Sequence, residues 1–130
     1  MILVLSLTGA SGSASDRRHA VAEFARNYPI DPVDVIIADF MSEYNMAVAA
    51  GKRVDQESAA PGRPVVPAYE LTFLESLEPA LGDIARYGIK VAANAGVADT
   101  RGMYEMVVGM VERKGLDLKV GNCQIGDIGC

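Results

Sequence analysis

Asp39 follows directly on the apolar run Val33 to Ala38, and Glu43 lies four residues further on. Two carboxylates at this spacing can divide acid and base work when their surroundings separate their proton affinities. The same residues also suit the start of a helix, with Asp39 capping it and Glu43 favouring its positive end. Both readings stand. Asn94 follows another apolar run, Ile89 to Ala93, and Gly96 comes two residues later. The Asn94 amide can hold a substrate carbonyl or tie neighbouring loops, and Gly96 lets the backbone turn closely. A third polar loop, Thr8 to Ser13, contains Ser11 and Gly12, whose backbone N–H groups can face an anion or a substrate oxygen. This loop does not complete G-x-G-x-x-G, because Ser11 and Ala14 stand where glycines are needed. A tight strand-to-helix turn explains it equally well. Gly126 and Asp127 form a fourth loop of the same kind.

The rest of the titratable chemistry is sparse. His19 is the only histidine, so a multi-histidine metal centre is excluded, and no Cys/His spacing suits zinc. His19 reads as a surface or capping residue. The expectation is an active site with no metal and no cofactor. Cys123 and Cys130 sit together near the C-terminus and do not make a disulfide framework. Reduced thiols in a cytoplasmic setting are expected, with a tail disulfide as the lesser alternative.

These loops need elements to hold them. Ile2 to Leu7, Val33 to Ala38, Ile89 to Ala93 and Leu116 to Cys123 read as strands. Ala20, Val21, Phe24 and Ala25 mark a helix, with Asp16 as its N-cap candidate. Ser42 to Gly51 reads as a short helix stopped by its glycine. Lys52 to Pro67 carries three prolines and no clear period, and reads as a mobile excursion over 52–67. Leu71, Leu74, Leu77, Leu81 and Ile84 form the next helical face. Asp99 or Thr100 caps a last helix whose Met103, Val107, Met110 and Val111 read as core.

Strands alternating with helices predict an α/β fold: an open, mostly parallel, Rossmann-like sheet of about four strands with helices on both faces. The 130 residues fit one domain, 1–130. In such sheets ligands bind at the carboxyl ends of the strands, so the four loops should converge. A net charge of −5 lacks the footprint for nucleic acid or anionic membrane. Aromatics at 6% with no Trp argue against a stacking platform for single strands. The longest apolar start, Met1 to Leu5, is far too short to span a bilayer. Basic pairs such as Arg17-Arg18 and Lys52-Arg53 read as solvated surface.

Four motifs in order resemble the AtuA-like, or acyclic terpene utilisation, family. They are Gly9-Ala10-Ser11-Gly12 with Asp16-Arg17, Ala38-Asp39-Phe40-Met41-Ser42-Glu43, Ala93-Asn94-Ala95-Gly96, and Gly126-Asp127. The family's versions are a G-x-G-x-x-x-D-R loop, D-Y-L-x-E, T-N-x-G and G-D-D. This chain departs at Ser13-Ala14-Ser15, at Ala93 in place of Thr, and at Ile128 in place of the second acid. Its relatives are typically much longer, and the sequence resembles their first part. The resemblance implies metabolism of an acyl or terpenoid-like small molecule, with a coenzyme A thioester as one form of substrate, and a role in natural-product pathways.

The expectation is a small-molecule enzyme of lyase or isomerase type, acting as a hydratase, lyase, isomerase or cyclase without a redox cofactor. Asp39 and Glu43 are its catalytic candidates. Ser11, Gly12, Asn94, Gly96 and Asp127 are its substrate-binding candidates. The alternative is a non-catalytic ligand-binding or subunit module. A homo-oligomer is expected in either case, since a small sheet leaves edges or faces to protect.

Overall fold

The computed structural model describes residues 4–6, 19–58, 62 and 66–123. Short, mostly apolar segments form the strands β1 (Val4–Ser6), β2 (Val35–Ala38) and β3 (Lys90–Ala93). They pair in parallel in the order β1-β2-β3, with Val4 beside Val35 and Ile36 beside Val91. Between them run α1 (Ala20–Arg26), α2 (Glu43–Glu57), α3 (Leu71–Leu77), a 3-10 turn (Glu78–Ala80) and α4 (Leu81–Tyr87). The last helix, α5 (Thr100–Arg113), follows β3. The fold is α/β around a small parallel sheet.

Strand order explains where the helices go. Parallel crossovers are right-handed, so connections that step in one direction across a sheet lay their helices on the same face. Here α1 packs on α3, on the 3-10 turn and on α4. Ile36 and Ala38 of β2 are buried with these helices in one core, which also holds Val21, Phe73, Leu77 and Met103. The next residue along, Ile37, points to the other face and is 38% exposed. Helices on both faces are not shown among the described residues. The described strands never reverse direction, and a doubly wound sheet needs that reversal.

The expected fourth strand is also corrected. Leu116 to Cys123 joins no sheet among the described residues. Leu116, Leu118 and Val120 do pack on the core, as alternate residues of an extended segment should. An open cleft is lined by both β3 and residues 118–123.

Several local expectations hold. The leucine face runs through α3 and α4, with Pro79 confined to the 3-10 turn between them. Met103 and Met110 are buried core residues. Gly88 takes φ 68°, a left-handed conformation that ends α4 and turns the chain into β3. One local expectation fails. The helix after Ser42 does not stop at Gly51 but runs to Glu57. One glycine costs a helix only about 1 kcal/mol, and the good helix formers Lys52, Arg53, Gln56 and Glu57 follow it. Helix α1 begins at Ala20 without a side-chain cap. The Val21 N–H instead donates to the hydroxyl of buried Ser76 on α3, at 3.2 Å. Asp16 lies outside the described residues.

No helix among the described residues is long and apolar enough to cross a membrane. Cys123 is disulfide-bonded, so the expected reduced thiol is corrected to the lesser alternative.

Candidate functional site

The carboxyl ends of β2 and β3 carry the site. Asp39 follows β2 and Asn94 follows β3, so parallel pairing sets them side by side. The Asn94 side-chain oxygen accepts from the Phe40 backbone N–H at 2.6 Å. Its nitrogen donates to Asp39 Oδ1 at 2.7 Å. The same Oδ1 accepts from the Met41 N–H at 3.0 Å. One amide thus joins two loops and orients one carboxylate. Phe40 is buried edge-on against Phe73, with ring centroids 5.5 Å apart, and this anchors the loop from below.

The loop then enters α2. Ser42 is its N-cap and accepts from the Asn45 N–H at 3.2 Å. The Asn45 side chain donates back to the Phe40 carbonyl at 2.8 Å. Glu43 is the first residue of α2 and is exposed in its first turn, where its charge complements the helix dipole.

The turn after β3 is braced on its far side. The Ala98 N–H donates to the Ala68 carbonyl at 3.1 Å, and the Glu70 N–H donates to the Ala95 carbonyl at 2.8 Å. Val97 within this turn has φ 46°, a conformation that β-branched residues rarely adopt. Gly96 packs against the start of α5, where a Cβ would lie 2.8 Å from the Thr100 backbone. Asp99 caps α5 by accepting from the Gly102 N–H at 2.9 Å. Burial, and then the charge of Asp99, raise the Tyr69 phenol above its ordinary pKa of 10.0.

A crevice of about 790 Å³ opens at these strand ends. Met41, Asn94, Gly96 and Thr100 line it, together with Arg53, Gln56 and Arg101. Both donors to Asp39 Oδ1, Met41 and Asn94, belong to this lining. Arg53 reaches over from α2 and donates to the Ala98 carbonyl at 3.3 Å. The structure thus bonds Asp39 to Asn94 and sets Asn94 and Gly96 on one crevice, while Asp39 and Glu43 stand outside its lining and Glu43 opens α2 four residues beyond Asp39. Ser11, Gly12 and Asp127 lie outside the described residues.

Arg53 and Arg101 escaped the sequence reading, which took Lys52-Arg53 for solvated surface. The available signal was Asp99: a cap there places Arg101 in the first turn of α5, beside the strand ends. No comparable signal existed for Arg53, because its placement depends on α2 continuing past Gly51.

The model of the acyclic terpene utilisation family protein AtuA matches residues 5–128. The chain belongs to the AtuA family. The match spans all four loops singled out from the sequence. No curated protein and no solved structure significantly matches the chain. The family's description refers to acyclic terpene utilisation and names no reaction.

Proposed function

We propose that this AtuA-family chain is an enzyme that moves protons on an acyl, terpenoid or polyketide-like small molecule, acting as a hydratase, lyase, isomerase or cyclase in natural-product metabolism. The observation that supports this reading is the Asp39 carboxylate, oriented by Asn94 and Met41 beside a strand-end crevice. In this mechanism Asp39 takes or gives the proton and Glu43 serves as its partner. An amide nitrogen carries two hydrogens, and Asn94 directs one of them at Asp39. The other is available to a substrate carbonyl oxygen, which also gains charge as a proton leaves the adjacent carbon. Asn94 therefore orients the base and holds the substrate oxygen. Ser11, Gly12 and Asp127 complete the substrate-binding set in this proposal.

The test is turnover of acyl and terpenoid acids and thioesters by the wild type and by Asp39→Asn. Losing a general base costs about a hundredfold or more in rate. Unchanged turnover removes the proposal.

One observation favours a second reading, an oligomerising module. Ile37 is 38% exposed on the outer face of β2 and Tyr44 is 73% exposed nearby in sequence. Parallel sheets usually have both faces covered. Sedimentation of the chain and of Ile37→Lys tests this. A wild-type dimer that becomes a monomer in the variant supports the module, and a wild-type monomer rejects it.

A further inference from the structure

A second cavity adjoins the strand-end crevice and differs from it in chemistry. It is an open cleft of about 650 Å³ between α4, α5, the outer edge of β3 and residues 118–123. Leu77, Leu81, Ile84, Val107, Val111 and Leu118 wall it. Its size falls within the range of small-molecule sites. Ala93, Gly96, Thr100 and Cys123 line both cavities, so the two meet along the end of β3. Ala93 and Gly96 are small, and no side chain fits at 96 without striking Thr100. The boundary is thus kept low.

The crevice on the polar side of that boundary carries two guanidinium groups. Arg53 pairs with Glu57 and Arg101 with Glu105, each one turn along its own helix. These pairs are at least 61% exposed and hold their arginines weakly, so each can turn to an incoming anion. Arginine suits carboxylates and phosphates because its fork of N–H donors matches their oxygens. Two acids line the crevice as well: Asp99 directs Oδ1 at the Gly102 N–H, and Glu57 is paired with Arg53, which also donates to the Ala98 carbonyl.

We infer that the two cavities form one site for an anionic amphiphile, with the apolar chain in the cleft and the anionic head between Arg53 and Arg101. The head then lies in the crevice that Asn94 also lines, which brings the carbons next to it towards Asp39. This inference rests on the proposed acid/base reading for its purpose, but binding tests it independently of turnover.

The probes are hexanoic, octanoic and decanoic acids, decanol, and decanoyl-coenzyme A, titrated calorimetrically against the full chain. Affinity should rise about threefold to fourfold per methylene, as expected for burial of an apolar chain. Decanoic acid should bind about tenfold more tightly than decanol, and Arg53→Gln combined with Arg101→Gln should erase that preference. Both arginines are exposed, so the variant keeps its core. Val107→Phe should weaken decanoic acid more than hexanoic acid. If decanoyl-coenzyme A exceeds decanoic acid and loses that margin in the arginine variant, the anion is the phosphate-bearing carrier. If decanoic acid binds as tightly or more so, it is the free carboxylate. Affinity independent of chain length, or an arginine variant that still prefers the acid, overturns the inference. Binding as described without proton transfer would leave this site standing and reject the catalytic reading instead.

Discussion

Asn94 donates its side-chain amide to Asp39 Oδ1 across 2.7 Å, joining the ends of two neighbouring parallel strands. The same amide accepts the N–H of buried Phe40. One side chain therefore both accepts from a buried backbone group and orients the Asp39 carboxylate, and substitution separates the two. Asn94→Ala leaves the Phe40 N–H without its acceptor and should cost about 1–3 kcal/mol in urea unfolding. Asn94→Asp restores that acceptor but places a second carboxylate against Asp39. Like charges raise the folded-state carboxyl pKa values above their unfolded ones. The Asn94→Asp deficit relative to wild type should therefore be small in acid and grow as pH rises through the carboxylate range. Equal deficits at all pH values would contradict the pairing.

Ser76 accepts from the Val21 N–H at the uncapped start of α1. Ser76→Ala removes a buried partner while keeping the packing, and should cost about 1–3 kcal/mol in denaturant titration. Adding a cap by His19→Asp should leave that loss in place, because an N-cap side chain serves the N2 or N3 group only when its geometry is set for it. Restoration of full stability in the double variant would show that the Ser76 bond is dispensable.

Val97 sits at φ 46° in the turn beside the crevice. Left-handed backbone costs a residue with a Cβ roughly 1–2 kcal/mol, while glycine takes it freely but loses more entropy on folding. Val97→Gly should therefore change stability by less than about 1 kcal/mol, whereas Val97→Gly combined with Asn94→Ala should loosen the turn. The readout is hydrogen exchange at Ala98, whose N–H bonds to Ala68. Faster exchange in Val97→Gly alone would mean that the strained valine holds the turn in place.

Burial and the neighbouring Asp99 charge raise the Tyr69 phenol above 10.0 in the folded chain. A raised folded value means that the native state keeps its proton after the unfolded chain has lost it. This contribution is fully present below pH 10.0 and is lost as pH rises through the folded value. Tyr69→Phe should flatten the stability curve above that pH and leave it unchanged below. Tyrosinate absorbance should show one phenol titrating late, and Asp99→Asn should bring it down. An unchanged alkaline limb in Tyr69→Phe contradicts the shift.

The parts of the fold that were legible in sequence were those set by local pattern. Val33 to Ala38 and Ile89 to Ala93 read as strands because they are short and mostly apolar, and β2 and β3 fall inside them. Asp99 read as a cap because its carboxylate can reach orphan N–H groups, and it does so. Asp39 and Asn94 were legible as strand-end residues, but their mutual bond was not, because it depends on which strands become neighbours. Leu116 to Cys123 shows the limit of pattern. It read as a fourth strand, and the structure keeps only a segment whose Leu116, Leu118 and Val120 pack on the core. Pairing is a property of the neighbour, and the neighbour of that segment is a cleft rather than β3. Gly51 shows the converse, a local stop signal overridden by the residues after it and by contacts such as Arg53 with the Ala98 carbonyl.

Proton exchange in heavy water tests the role of Asp39 most directly. Acyl and terpenoid thioesters are incubated with the wild type, with Asp39→Asn and with Glu43→Gln, and deuterium beside the carbonyl is counted by mass spectrometry. The account predicts rapid incorporation by the wild type, a loss of about a hundredfold or more in Asp39→Asn, and a smaller loss in Glu43→Gln. Incorporation by Asp39→Asn at the wild-type rate, or none by the wild type itself, would contradict it.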